Sequence, residues 1–81
     1  MEEKIIDFLD EQYQFLVTDV KYIELRTYKI KVVVCLGYTH ERHFEIDLKW
    51  DFHLTDYSNL LKLSNIIDNK ILKIFKRELV A

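Results

Sequence analysis

The chain reads as a small α+β domain: an antiparallel sheet of two to three strands, an N-terminal helix, and one long or two shorter C-terminal helices on one face. Three observations lead there. Apolar residues recur with helical spacing at both ends and with period two between them. Its 81 residues suffice for one domain, 1–81, and not for two. The composition, 49% hydrophobic and 32% charged with net charge −2, is that of a packed globule rather than a disordered or supercharged chain.

Residues 2–16 read as the first helix. Ile5, Leu9, Tyr13 and Leu16 make an i, i+4, i+8, i+11 stripe, widened by Ile6 and Val17. Glu2 and Glu3 suit the positive end of its dipole. Thr18 and Asp19 break the pattern, because their side chains compete for backbone hydrogen bonds.

Residues 20–37 are rich in Val, Ile and Tyr and read as β. Ile23 and Leu25 alternate in one phase, Tyr28, Ile30, Val32, Val34 and Leu36 in the other. The slip implies either a β-bulge near Arg26-Thr27 or two strands meeting there. A tight hairpin prefers Asn, Asp or Gly at positive φ and finds none, which favours a bend or bulge. A strand over 20–27 would then lack an obvious partner within the chain and stand as an edge.

The clearest strand pattern is Phe44, Ile46, Leu48, Trp50, Phe52 and Leu54, alternating with His43, Glu45, Asp47, Lys49, Asp51 and His53. One face should be buried and one wet, with Lys29, Lys31, Glu45, Asp47, Lys49 and Asp51 on the wet side. Residues 37–42 supply the hairpin loop, where Gly37 can adopt positive φ. Thr55 or Asp56 can cap a helix over 57–79, with Tyr57, Leu60, Leu61, Ile67, Ile71, Ile74 and Phe75 near one stripe. Ser64-Asn65 favour caps and could divide it.

Chemistry is sparsely signalled. A lone Cys35 excludes a disulfide framework and a four-thiolate zinc site, and its apolar neighbours suggest a structural thiol. His43, Asp51 and His53 would share a strand face, but eight residues of strand separate the first two by roughly 26 Å. One Gly and no Pro leave no phosphate-cradling Gly-rich loop and few of the loops on which active sites are built. The expectation is therefore no enzyme, no cofactor, no metal and no catalytic residue. No apolar run reaches the ~20 residues of a membrane span and the start is no signal peptide, so a cytoplasmic protein without membrane contact is expected.

Two short patterns have relatives. Asp47-Leu48-Lys49 resembles the acid-x-Lys strand triplet of the restriction-endonuclease-like nucleases, which implies magnesium-dependent cleavage. That family also needs a second acid from a neighbouring strand, and Lys29, Lys31, Val33 and Cys35 offer none. Gly37-x-x-His40-x-x-x-Phe44-x-Ile46-x-Leu48 resembles the strand–loop–strand portion of double-stranded-RNA-binding domains, whose order is α-β-β-β-α. The resemblance implies an RNA contact through His40. The family's Lys-rich helix start has only Lys62 near Thr55–Leu63. Lys70, Lys73, Lys76 and Arg77, a basic stripe on the last helix, would have to supply phosphate contacts.

The leading expectation is a non-enzymatic binding or regulatory protein that contacts another protein. Nine Lys against three Arg, nine Ile and one Ala have the look of an AT-rich coding genome. Small domains of this kind include inhibitors, immunity- or antitoxin-like proteins and phage or mobile-element modulators of a host enzyme. The contact surface would be the hairpin tip (Tyr38, His40, Arg42 and His43) or a sheet edge. A second copy is one candidate partner, since self-association is a common remedy for a small core.

Overall fold

The computed structural model describes residues 1–35 and 40–80, the side chains of 77–80 excepted. Its order is α1 (Glu2–Gln12), β1 (Leu16–Glu24), β2 (Thr27–Cys35), β3 (Glu41–Lys49) and α2 (Asp56–Val80). The strands form one antiparallel sheet in the order β1-β2-β3, as an α+β chain of this patterning should. Both helices contribute to a single core with one face of the sheet. Ile5 and Leu9 of α1 and Leu63 and Ile67 of α2 are buried with Val20, Ile30, Val32, Val34, Ile46, Leu48 and Trp50.

Helix α1 stops at Gln12, earlier than its stripe suggests. The Tyr13 N–H closes the last turn on the Leu9 carbonyl, and the Leu16 N–H turns back to the Tyr13 carbonyl. Leu16 then opens β1. Its place on the helical stripe was fortuitous: i+11 on a helix and the inner phase of the next strand demand the same apolar residue.

The β region is two strands, and the bend or bulge gives way to a tight turn. Leu25 and Arg26 have φ of 43° and 64°, the backbone of a type I′ turn without its usual Asn or Gly. A register irregularity between Tyr22 and Glu24 accompanies it. Ile23 is thereby skipped, which is why the apolar phase slips. The strand beginning at residue 20 does have a partner: β1 pairs with β2 along its length.

Strand β3 ends at Lys49, with one further ladder bond from the Trp50 N–H to the Arg26 carbonyl. The chain then turns because the Asp51 carboxylate accepts the His53 N–H at 2.8 Å. Phe52 and Leu54 continue the alternation in sequence but lie outside the sheet, exposed. Asp51 leaves the wet face for the same reason and is half-buried.

Helix α2 is continuous across Ser64-Asn65. Thr55 is its cap, the Oγ1 accepting the Ser58 N–H at 3.1 Å. Its innermost residues are Asn59, Leu63 and Ile67, while Tyr57 and Leu61 are exposed. Ser64 faces Tyr13 instead of capping: its Oγ lies 2.9 Å from the phenolic oxygen, which donates its own proton to Asp68 at 2.6 Å. With Lys4 paired to Asp56, these contacts set the two helices side by side and pointing the same way.

Candidate functional site

Alternation divides the sheet cleanly. Residues 16, 18, 20 and 22 of β1 face the helices, and 17, 19 and 21 face outward opposite 33, 31 and 29 of β2. In β3 the outward set is His43, Glu45, Asp47 and Lys49. The outer face is thus a grid with rows Val17–Val33–His43, Asp19–Lys31–Glu45 and Lys21–Lys29–Asp47. Two charged contacts are close on this face, Lys29 with Glu45 at 3.6 Å and the His43 ring with Glu41 at 3.1 Å. Lys31 stands between Asp19 and Glu45, and Lys29 opposite Asp47, unlike charges that favour pairing modestly, whereas Lys21 opposite Lys29 opposes it.

The sheet has two free edges. The Tyr22 N–H is taken by the Glu2 carboxylate at 2.8 Å instead of by β2. Antiparallel alternation then directs the N–H and C=O of Thr18 and Val20 away from β2 as well. Along this β1 edge stand exposed Phe15, Val17 and Ile23, the first two 63% exposed. The β3 edge by the same rule presents the backbone of His43, Glu45, Asp47 and Lys49, flanked by their polar side chains.

The hairpin residues expected to bind are only partly grouped. Tyr38 lies outside the described residues, as does the rest of the loop except His40. His40 is exposed, and Cys35 opposite Glu41 closes the hairpin on its described side. Arg42 points inward by register, opposite Val34. His43 points outward and contacts Glu41 at 3.1 Å. Arg42 and His43 therefore lie on opposite faces of β3.

Three of the four side chains of the basic stripe are described, those of Lys70, Lys73 and Lys76. Helix α2 runs antiparallel to β3, from Asn59 beside Asp51 to Lys70 over the Phe44 ring at 5.8 Å. Lys70, Lys73 and Lys76 are exposed along this half of the helix. The side chain of Arg77 lies outside the described residues. The start of α2 sits at the opposite end of the sheet, about 25 Å along β3 from His40 at the usual strand rise.

Asp47 and Lys49 do share the outer face, but Lys29 and Thr27 stand opposite them on β2. Among the described residues no three His, Cys, Asp or Glu side chains gather as a metal site would require. With β3 ending at Lys49, Asp51 and His53 do not share its face with His43. Cys35 is exposed at the end of β2 rather than packed away. No helix of the described residues is long and apolar enough to cross a membrane.

Two polar residues hold this frame and were not anticipated. Asn59 is fully buried. Its Oδ1 accepts the Asp51 N–H, and its Nδ2 donates to the carbonyls of Asp51 and Thr55, all between 2.9 and 3.1 Å. One amide thus ties the end of β3 to the start of α2. The signal was its position four before Leu63 and eight before Ile67, a polar residue on the apolar stripe. Tyr13 is the other: burial and the Asp68 carboxylate push its phenol up to about 12. Burial likewise raises Tyr28.

Comparison with protein-family models, characterised proteins and solved structures gave no match to this chain.

Proposed function

We propose that the protein is a non-enzymatic, cytoplasmic binding module that acts on another protein by taking up an extended segment at the β1 edge. The observation that carries this reading is the combination of strand backbone directed away from β2 at Thr18 and Val20 with exposed apolar side chains at Phe15, Val17 and Ile23. Outward N–H and C=O groups give strand addition its affinity, and alternate side chains give it its selectivity. Natural edges are commonly blunted by charge; β1 carries Asp19 and Lys21 on its outer face and the Glu2 carboxylate at its end, but keeps apolar Phe15, Val17 and Ile23 exposed beside them. Inhibitor-, immunity- and phage-modulator-like proteins are the class this fits, with a second copy of the chain as the simplest occupant to test for first.

Thr18→Pro is the decisive variant. Its N–H points away from β2, so proline removes a donor from the free edge without breaking the internal ladder. Light scattering across micromolar concentrations, and pull-down quantified by mass spectrometry, should show wild type engaging a second copy or one stoichiometric protein. Thr18→Pro should lose that engagement while keeping its circular dichroism spectrum. If the proline variant retains the same partner at the same stoichiometry, the edge is not the site.

The nucleic-acid reading keeps one observation in its favour, the run of exposed Lys70, Lys73 and Lys76 on the half of α2 that passes the hairpin end. A gel shift with duplex RNA at low salt tests it, and absence of retardation there disposes of it.

A further inference from the structure

At the other end of the sheet lies an open depression of about 370 Å³ lined by Arg26, Lys49, Trp50, Asp51, His53 and Lys62. That volume lies within the ~300–1,000 Å³ usual for small-ligand sites. Four segments meet there: the β1–β2 turn, the end of β3, the turn after it, and the second turn of α2. Its three permanent cations are not neutralised. Among the described residues no carboxylate pairs with Arg26, Lys49 or Lys62. The one acid in the lining, Asp51, already accepts the His53 N–H, and Asp56 nearby is paired with Lys4. The depression therefore carries a local charge of about +2 in a chain whose net charge is −2.

One aromatic ring, Trp50, lines it, and a second, Phe52, stands against the lining's Arg26. The Arg26 guanidinium sits 5.1 Å from the Phe52 ring centroid, and Phe52 is 63% exposed. Trp50 forms part of the wall. The turn itself is held where backbone preference would not put it, with Leu25 and Arg26 both at positive φ. The Trp50 N–H to Arg26 carbonyl bond, 2.8 Å, clamps that turn onto β3. The arginine is thus presented from a fixed support.

We infer that this depression binds the phosphate of a nucleotide, either free or within a single strand of nucleic acid. A single carboxylate would leave part of the charge unanswered, whereas a terminal phosphate monoester brings about −1.5 to −2 and two successive phosphodiesters of a strand bring about −1 each. Arginine supplies a planar fork for its oxygens and the two lysines supply point charges. The exposed Phe52 ring offers a surface for the base attached to that phosphate. This site is separate from the β1 edge, and neither reading depends on the other.

Trp50 is the only tryptophan in the chain, so its fluorescence reports occupancy directly. The probes are inorganic phosphate, adenosine monophosphate and a short oligothymidylate, titrated at low salt with amide chemical shifts recorded in parallel. Nucleotide and oligonucleotide should perturb Trp50 and the amides of residues 26, 49, 53 and 62. A Lys49→Glu/Lys62→Glu variant should bind more than about tenfold more weakly, as loss of charge-assisted bonds requires. Lys31→Glu, which alters the outer face some 16 Å away at the usual strand rise, should bind like wild type. Arg26→Gly should also weaken binding while relieving the turn, which separates loss of the site from loss of the fold. An oligonucleotide that binds more than about tenfold tighter than the mononucleotide assigns the strand as the source. Equal affinities assign the free nucleotide. The inference is overturned if no probe reaches Trp50 at millimolar concentration, if the double variant binds like wild type, or if Lys31→Glu loses as much as it does.

Discussion

The two faces of the sheet are made of the same three strands and do opposite things. The inner face is apolar at its centre, with Ile30 wholly buried between Val20 and Ile46 in register. The outer face, one residue out of phase, sets Lys31 between Asp19 and Glu45 in full contact with solvent. Burial of apolar area makes the inner face the source of stability, at roughly 25 cal/mol per Å² removed from water. Exposed charge pairs contribute little to stability because water and salt screen them. Adjacent residues of β2 should therefore differ greatly in what their removal costs.

The largest effect expected is at that contrast. Ile30→Ala should destabilise by about 2–5 kcal/mol, from lost transfer energy and the cavity left behind. Lys31→Ala should stay within about 0.5 kcal/mol. Urea unfolding of the two variants measures the gap, and similar midpoints would break the division between faces.

Next is Asn59, which serves the inner side with polar chemistry. Asn59→Ala leaves the N–H and carbonyl of Asp51 without their partner and should cost about 2–3 kcal/mol. Hydrogen exchange should also speed selectively at residues 51–59, since those groups join β3 to α2.

Tyr13→Phe should cost about 1 kcal/mol for the bonds to Ser64 and Asp68. The same tyrosine gives a pH signature. Its pKa in the folded protein, about 12, lies above the ordinary 10.0. The stabilisation from its neutral phenol is thus intact below pH 10 and is lost as pH climbs toward 12. Absorbance titration should find a late-ionising tyrosine that is missing in Tyr13→Phe. Tyr28, also raised, should remain late in both.

The smallest change is a gain. Leu25→Asn with Arg26→Gly places residues suited to positive φ at the turn and should stabilise by about 1 kcal/mol. Leu25 is 78% exposed, so little packing is lost with it. Thermal melts that fall instead would mean the turn residues contribute to the fold and not only to its surface.

Where local pattern and tertiary demand coincide, the fold was legible. Ile5 and Leu9, the Tyr28–Val34 alternation and the Ile46–Trp50 alternation are all buried as their spacing predicts. Legibility failed at junctions. Leu16 satisfied a helix stripe and a strand phase equally. Phe52 and Leu54 kept a strand's rhythm after Asp51 had turned the chain. Leu25-Arg26 formed a hairpin turn without turn residues, because pairing along β1 and β2 and the Trp50 bond outweigh the cost of positive φ. Hydrogen-bonding groups that act over long separations, such as Tyr13 with Asp68, leave almost no local trace. The candidate site was harder still, because Arg26, Lys49 and Lys62 are scattered through 37 residues of sequence.

The sequence by itself determined the fold class, the placing of the sheet between the two helical regions and which face of β2 and β3 is dry, since these follow from apolar periodicity and need no knowledge of neighbours. Tertiary structure decided where elements stop, which edge is left open and which charges share a surface. Those depend on contacts between residues distant in the chain: the grip of Asn59 on Asp51, the Glu2 cap on Tyr22, and the unneutralised cations gathered at the far end of the sheet.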